Sequence, residues 1–190
     1  MSLEFNRRSF LKYSAAAAVA VAGSSLLVGC GEDEYQKTGK IGSTLKLMGT
    51  FRMYDNPAPT FALDTGSTTN GTFTCKLNIK CTTKKVPLYV AAGCFQLTVI
   101  HDGTKTNYAD SGYVTVDKPN FKLAEKDDAE DFTITVKGNT SNPLNIVAGD
   151  KVEFMYWPRI QASSGNSGYT RAFCTWKMEA KTGTSGIVLE

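Results

Sequence analysis

The sequence predicts an all-β domain, a sandwich or barrel, behind an N-terminal export segment. Three observations carry this. Apolar and polar residues alternate at period two over much of the chain after residue 43, turn residues recur about every ten positions, and helix signals nearly vanish beyond the leader. The 190 residues are 42% hydrophobic and 21% charged, which is the balance of a folded protein rather than of a disordered or fibrous one. The length suits one domain plus a leader. We divide the chain into an N-terminal leader (1–29), a segment from Cys30 that reads as a flexible tether (30–42) and an expected β-sandwich domain (43–190).

The leader comes first. It reads Asn6-Arg7-Arg8-Ser9-Phe10-Leu11-Lys12, followed by an apolar, Ala-rich run to Gly29. Arg7, Arg8, Phe10, Leu11 and Lys12 resemble the twin-arginine motif, an address read by a receptor rather than an anchor. A start-transfer transmembrane helix is the competing reading. The run is only about 17 residues and weakly hydrophobic, at the lower limit for spanning a bilayer.

At the end of the run stands Leu27-Val28-Gly29-Cys30, which resembles the bacterial lipobox. A thiol is needed there to carry a thioether-linked lipid, and small residues before it let the peptidase approach. The resemblance implies that Cys30 is acylated and becomes the mature N-terminus. Lipid chains contribute about 0.8 kcal/mol per buried methylene, so two or three of them anchor firmly. The two signals together resemble those of a twin-arginine-exported lipoprotein. Such proteins fold before export, which often reflects a cofactor inserted in the cytoplasm.

The tether, residues 31–42, is polar and lacks apolar periodicity. Beyond it, Leu45, Leu47, Phe51 and Met53 share one parity. The cleanest strand is Phe73, Cys75, Leu77, Ile79 and Cys81, with Thr74, Lys76, Asn78 and Lys80 facing the other way. Phe95, Leu97 and Val99 follow, ending in a turn at Asp102-Gly103. Further strands are expected at 113–116, 132–136, 152–157, 169–178 and 186–189. Residues 123–131 could form a turn or two of helix. Residues 161–168 read as a long loop.

The stretch FTCKLNIKCTTKKVPLYVAAGCFQLTVIHDGTKTNY, residues 73–108, resembles a pattern in telokin-like, immunoglobulin-fold bacterial surface lipoproteins. LNIVAGDKVEF, residues 144–154, resembles their later turn and strand. The likeness covers about a third of the chain, and it implies an immunoglobulin-like β-sandwich at the cell surface. It implies no reaction, because the function of those lipoproteins is undefined. The four mature cysteines and the 161–168 loop depart from the pattern.

Cys75, Cys81, Cys94 and Cys174 form an even set in an exported domain, which implies disulfides in one of three connectivities. Cys75 and Cys81 lie six residues apart on one strand, about 20 Å, too far for a bond. The preferred pairing is Cys81–Cys94 with Cys75–Cys174. Parity weakens it, because Cys94 falls opposite to Phe95, Leu97 and Val99. Buried thiols are the alternative. Metal ligation is disfavoured, since the spacings of 6, 13 and 80 lack a close pair. The single histidine, His101, excludes sites that need two imidazoles.

His101 beside Asp102 is a turn rather than a base with its orienter, because neighbours on a strand face opposite ways. The acidic run Glu125, Asp127, Asp128, Glu130 and Asp131 reads as a solvated connection rather than a calcium site. No nucleophile elbow, phosphate loop or dinucleotide fingerprint is present, and no cofactor is expected. Removing Glu4, Arg7, Arg8 and Lys12 with the leader leaves 18 basic and 17 acidic residues, net +1, so no nucleic-acid partner is expected. Tyr156, Trp157, Tyr169 and Trp176 are the candidate binding surface, since aromatics beside a Gly/Ser-rich loop suit recognition.

The expected function is a non-enzymatic interaction or ligand-binding module. It would be lipid-anchored on the outer side of the membrane, with an unknown protein or small ligand as partner. The alternative is an accessory subunit of an exported redox or other surface complex.

Overall fold

Alternation governs the longest predicted strand, Gly71–Cys81. Phe73, Cys75, Leu77, Ile79 and Cys81 are all buried, and the intervening Thr72, Thr74, Lys76, Asn78 and Lys80 are half exposed. The same rule builds much of the rest. The computed structural model describes residues 35–82, 87–161, 167–169 and 172–190. In chain order the first strands are β1 Gln36–Gly39, β2 Thr44–Lys46, β3 Gly49–Met53, β4 Thr60–Leu63, β5 Gly71–Cys81, β6 Leu88–Val90, β7 Phe95–His101 and β8 Thr104–Ala109. They are followed by β9 Val114–Val116, β10 Phe121–Leu123, β11 Ala129–Lys137, β12 Lys151–Tyr156, β13 Arg159–Gln161, β14 Ser167–Tyr169, β15 Phe173–Gly183 and β16 Gly186–Leu189.

The architecture is a β-sandwich. One layer runs β8-β7-β12-β15, all antiparallel, and β1 lies parallel beside the start of β15. The other layer centres on β5, which pairs with β11 along one side and with β3 and β4 in tandem along the other. β9 continues beyond β11, and β2 beyond β3. Strand β15 is long enough to belong to both layers. Its second half pairs with β16, and β16 meets β4. One seam of the sandwich is therefore hydrogen-bonded throughout. A small sheet, β10-β6-β13-β14, stands apart.

Between the layers the aromatics form a column. Phe73 stacks on Phe154 with centroids 5.6 Å apart, Phe154 on Phe95 at 5.9 Å, and Phe95 on Tyr156 at 5.1 Å. Phe51 closes the column edge-on to Tyr156 at 4.9 Å. Leu77, Ile79, Leu97, Phe132 and Trp176 pack around it, all fully buried. Burying each such side chain contributes on the order of 1.5–3 kcal/mol.

Several expectations change. The tether is shorter than expected, because Gln36 to Gly39 form β1. Its own sequence is polar, but the open edge of β15 supplies the hydrogen bonds. Residues 123–131 are not helical. β10 ends at Leu123, Asp128 turns the chain by accepting from the N–H groups of Ala124 (3.1 Å) and Glu125 (2.8 Å), and β11 starts at Ala129. Residues 161–168 are not all loop. Gln161 pairs with Ser167 and Ile160 with Gly168 as arms of a hairpin, with residues 162–166 outside the described set. The strand expected at 169–178 is divided between β14 and β15.

The four mature cysteines are a correction too. All are buried, and none is joined in a disulfide. Cys75 pairs across to Ile134 in mid-strand, whereas Cys174 lies at the start of β15, so their strands hold them at different levels. Cys94 ends a single 3₁₀ turn, Ala92–Cys94, that directs its Sγ to the Tyr89 carbonyl at 3.4 Å.

Candidate functional site

The sandwich has two ends, and each is built differently. At the first, β15 begins at Phe173, whose N–H donates to the Tyr35 carbonyl at 2.9 Å. Tyr156 stands between Cys174 and Phe95 on its two neighbouring strands. Its hydroxyl is buried and has no hydrogen-bond partner among the described residues. Burial pushes this phenol well above its ordinary value, and Cys94, Cys174 and Cys81 nearby push it further. Burial likewise raises the Cys174 thiol to about 12, against a small lowering by Lys37, and raises Cys75 well above the usual range. Enclosed thiols of this kind are poor nucleophiles and poor ligands in the protonated form.

These findings correct the expected aromatic surface. Tyr156 and Trp176 are fully buried, and the Trp176 indole donates to the Ser43 carbonyl at 3.2 Å. They hold the core and the β1–β2 connection rather than a partner. Trp157 is half-buried, and its N–H donates to the Cys94 carbonyl at 2.6 Å. Tyr169 is placed as a residue of β14, and its side chain lies outside what the structure describes. Arg7, Arg8, Phe10, Leu11, Lys12 and Cys30 also lie outside the described residues.

The other end is crossed by residues 138–150, which connect β11 in one layer to β12 in the other. We call this segment the strap. Leu144 and Ile146 are buried and seat it on the core. Polar pins hold the backbone. Asn70 accepts from the Leu144 N–H at 2.9 Å, Gly71 N–H donates to the Leu144 carbonyl at 2.8 Å, and Tyr108 donates to the Pro143 carbonyl at 2.8 Å. Asn139 accepts from the N–H groups of Ser141 (3.0 Å) and Asn142 (2.8 Å), a local turn that relieves an unpaired backbone. Gly138 has to be glycine, because a Cβ would collide with the Leu144 nitrogen and the Asn70 side-chain oxygen.

Asp64 braces the adjoining 64–72 turn. It accepts from Thr72 at 2.8 Å and Asn70 at 3.1 Å and pairs with Lys137 at 3.1 Å. The Thr72 hydroxyl, followed by Lys137, holds its carboxyl below the usual range. On the far side of the strap, Asp150 is almost fully buried and accepts from the Val147 N–H at 3.0 Å. Its other oxygen lies 2.6 Å from Nδ1 of His101. The adjacent Asp102 stands 3.6 Å from Nε2, on the outer side of the ring. Asp102, the neighbour in sequence, is expected only to form the turn; the close partner is Asp150. Around these pins, Leu63 and Val147 expose 47% and 37% of their surface.

A third group, on the outer face of β3, β5 and β11, escaped the sequence reading. Asp131 accepts from Tyr54 and Asn78, each at 2.8 Å, and pairs with Lys76 at 3.0 Å. Burial would raise the Asp131 carboxyl, but the bonds from Asn78, Lys76 and Tyr54 outweigh it and leave it below the usual range. Lys76 and Arg52 lie 5.1 and 5.6 Å from the Tyr54 ring centroid. The alternation of β5 already placed Lys76 and Asn78 on the outer face; the partners are Tyr54, just after β3, and Asp131 in β11.

The acidic run is dispersed among such contacts. Asp127 pairs with Lys80 at 2.9 Å, Glu130 with Lys118, Asp128 with its turn and Asp131 with β3 and β5. Among the described residues, no group of three or more His, Cys, Asp or Glu side chains is placed to hold a metal ion.

Residues 4–24 match the TAT (twin-arginine translocation) pathway signal sequence. That signal implies export across the cytoplasmic membrane and an extracytoplasmic or envelope location. No curated protein matches the chain.

Proposed function

We propose that this protein is a lipid-anchored, extracytoplasmic β-sandwich that acts as a non-enzymatic interaction or ligand-binding module. The observation that carries the reading is the contrast between the two ends. The thiols and large aromatics that sequence offers as chemistry are enclosed in the core, while the strap end presents a braced set of turns with exposed Leu63 and Val147. Rigid turns on a sandwich suit recognition. The export signal at residues 4–24 supports an extracytoplasmic setting, and the Leu27-Val28-Gly29-Cys30 sequence supports lipid attachment there.

Cell fractionation tests the anchor. Cys30→Ser should move the protein from the membrane fraction to an unprocessed or soluble pool. Retention as a mature-sized membrane species contradicts lipidation. Replacing Arg7 and Arg8 by Lys should stop export, and continued export contradicts the twin-arginine route. A purified mature domain that carries flavin, metal or a cofactor-bearing partner counts against a simple binding module.

A further inference from the structure

We infer that the end of the sandwich where β1 begins rests against the lipid surface and that the strap end points away from it. This rests on the proposed acylation of Cys30. Chain length sets the orientation. Four residues separate Cys30 from Tyr35, so over five chain steps the lipid-bearing residue and the first described residue are at most about 18 Å apart. The domain begins at once there, because the Tyr35 carbonyl accepts from Phe173 and Gln36 pairs with that same residue.

Strand β15 then runs from Phe173 away from the point of entry. At Ala180 it reaches the strap, where the Ala180 N–H donates to the Asp150 carbonyl at 2.8 Å. Seven residues of strand span about 23 Å. That exceeds the leash, so the strap cannot rest on the bilayer with β1 held above it. The register of β1 against the first four residues of β15 fixes which end is anchored. Reversed over the same four positions, β1 would still enter within the first stretch of β15, at Trp176, so it is the pairing with residues 173–176 that sets the anchored end.

The side chain at the entry fits a headgroup layer. Tyr35, the first described residue, exposes 51% of its surface, and aromatic rings with a polar tip favour the membrane–water interface. The strap end instead carries the polar pins of Asp64, Asn70 and Asn139. The display of the module is therefore polar: Trp157 and the β13–β14 hairpin lie on the membrane side, and the strap meets partners from outside.

The test uses the full acylated protein reconstituted into vesicles of phosphatidylethanolamine and phosphatidylglycerol that contain a headgroup-nitroxide lipid. A fluorophore is attached at Gln36→Cys or at Thr104→Cys, with the parent protein as the blank for its buried thiols. We expect strong loss of emission at position 36 and none above background at position 104. Equal quenching at both, which a domain lying on its side would give, overturns the orientation, as does stronger quenching at 104. Mass spectrometry of the same sample separates the two claims. An N-terminal Cys30 without acyl groups overturns the anchor itself, whereas acylated protein with equal quenching overturns the orientation alone.

Discussion

His101 and Asp150, 49 residues apart, meet at 2.6 Å across the strap end of the sandwich. The imidazole is largely exposed and the carboxylate almost fully buried. The Asp102-Gly103 turn aims the ring outward, with both residues at positive φ (45° and 82°), the backbone that an Asp-Gly hairpin supplies at low cost. The bond ties the β7–β8 hairpin to the start of β12.

A pH dependence follows. The hydrogen bond to Asp150, then the charges of Asp150 and Asp102, raise the His101 pKa above 6.5. Folding therefore favours the protonated ring. Its contribution is fully present below 6.5 and is lost as pH rises through the higher folded value. Thermal unfolding of wild type and His101→Gln should differ most in mildly acidic buffer and converge in alkaline buffer. A difference that grows with rising pH would contradict this pairing.

Asn70 offers a test of the strap. Its side chain joins the Leu144 N–H to Asp64. Asn70→Ala leaves a part-buried backbone donor without its acceptor, which costs about 1–2 kcal/mol. A lower denaturant midpoint with faster amide exchange at Leu144 is expected. Unchanged exchange at that amide would show that the pin does not hold the segment.

Tyr156 separates shape from polarity. Its buried hydroxyl lacks a partner among the described residues while its ring fills the aromatic column. Tyr156→Phe should be neutral or stabilising by about 1 kcal/mol, since the hydroxyl brings a desolvation cost without a bond. Tyr156→Ala should destabilise by about 3–5 kcal/mol through loss of packing. Equilibrium unfolding in urea distinguishes these; a marked loss in the Phe variant would reveal a bonded hydroxyl.

The cysteines make a chemical prediction. Denatured without reductant, the exported protein should be alkylated at Cys75, Cys81, Cys94 and Cys174, and in the folded state these sites should react slowly. A cystine-linked peptide in the unreduced digest would contradict the thiol assignment.

Much of the sandwich is legible because burial on one face writes itself as alternation. Phe73 to Cys81 is the clearest case, and Phe132 to Val136 follows the same rule. β1 is illegible for the complementary reason: Gln36, Lys37, Thr38 and Gly39 gain their structure from the edge of β15, not from their own apolar content. Contacts between distant strands also leave no local trace. Nothing adjacent to His101 announces Asp150, and nothing near Tyr54 announces Asp131. The aromatic surface differs from expectation because one parity step decides exposure there: Tyr156 faces the core and Trp157 is only half enclosed.

The most direct test of the account is intact-mass and N-terminal peptide analysis of the protein taken from its own membranes. The account predicts a chain beginning at Cys30 and carrying diacylglyceryl mass, with the mature domain unmodified at its other cysteines. A mature chain without acyl groups, or one that begins elsewhere, would contradict it.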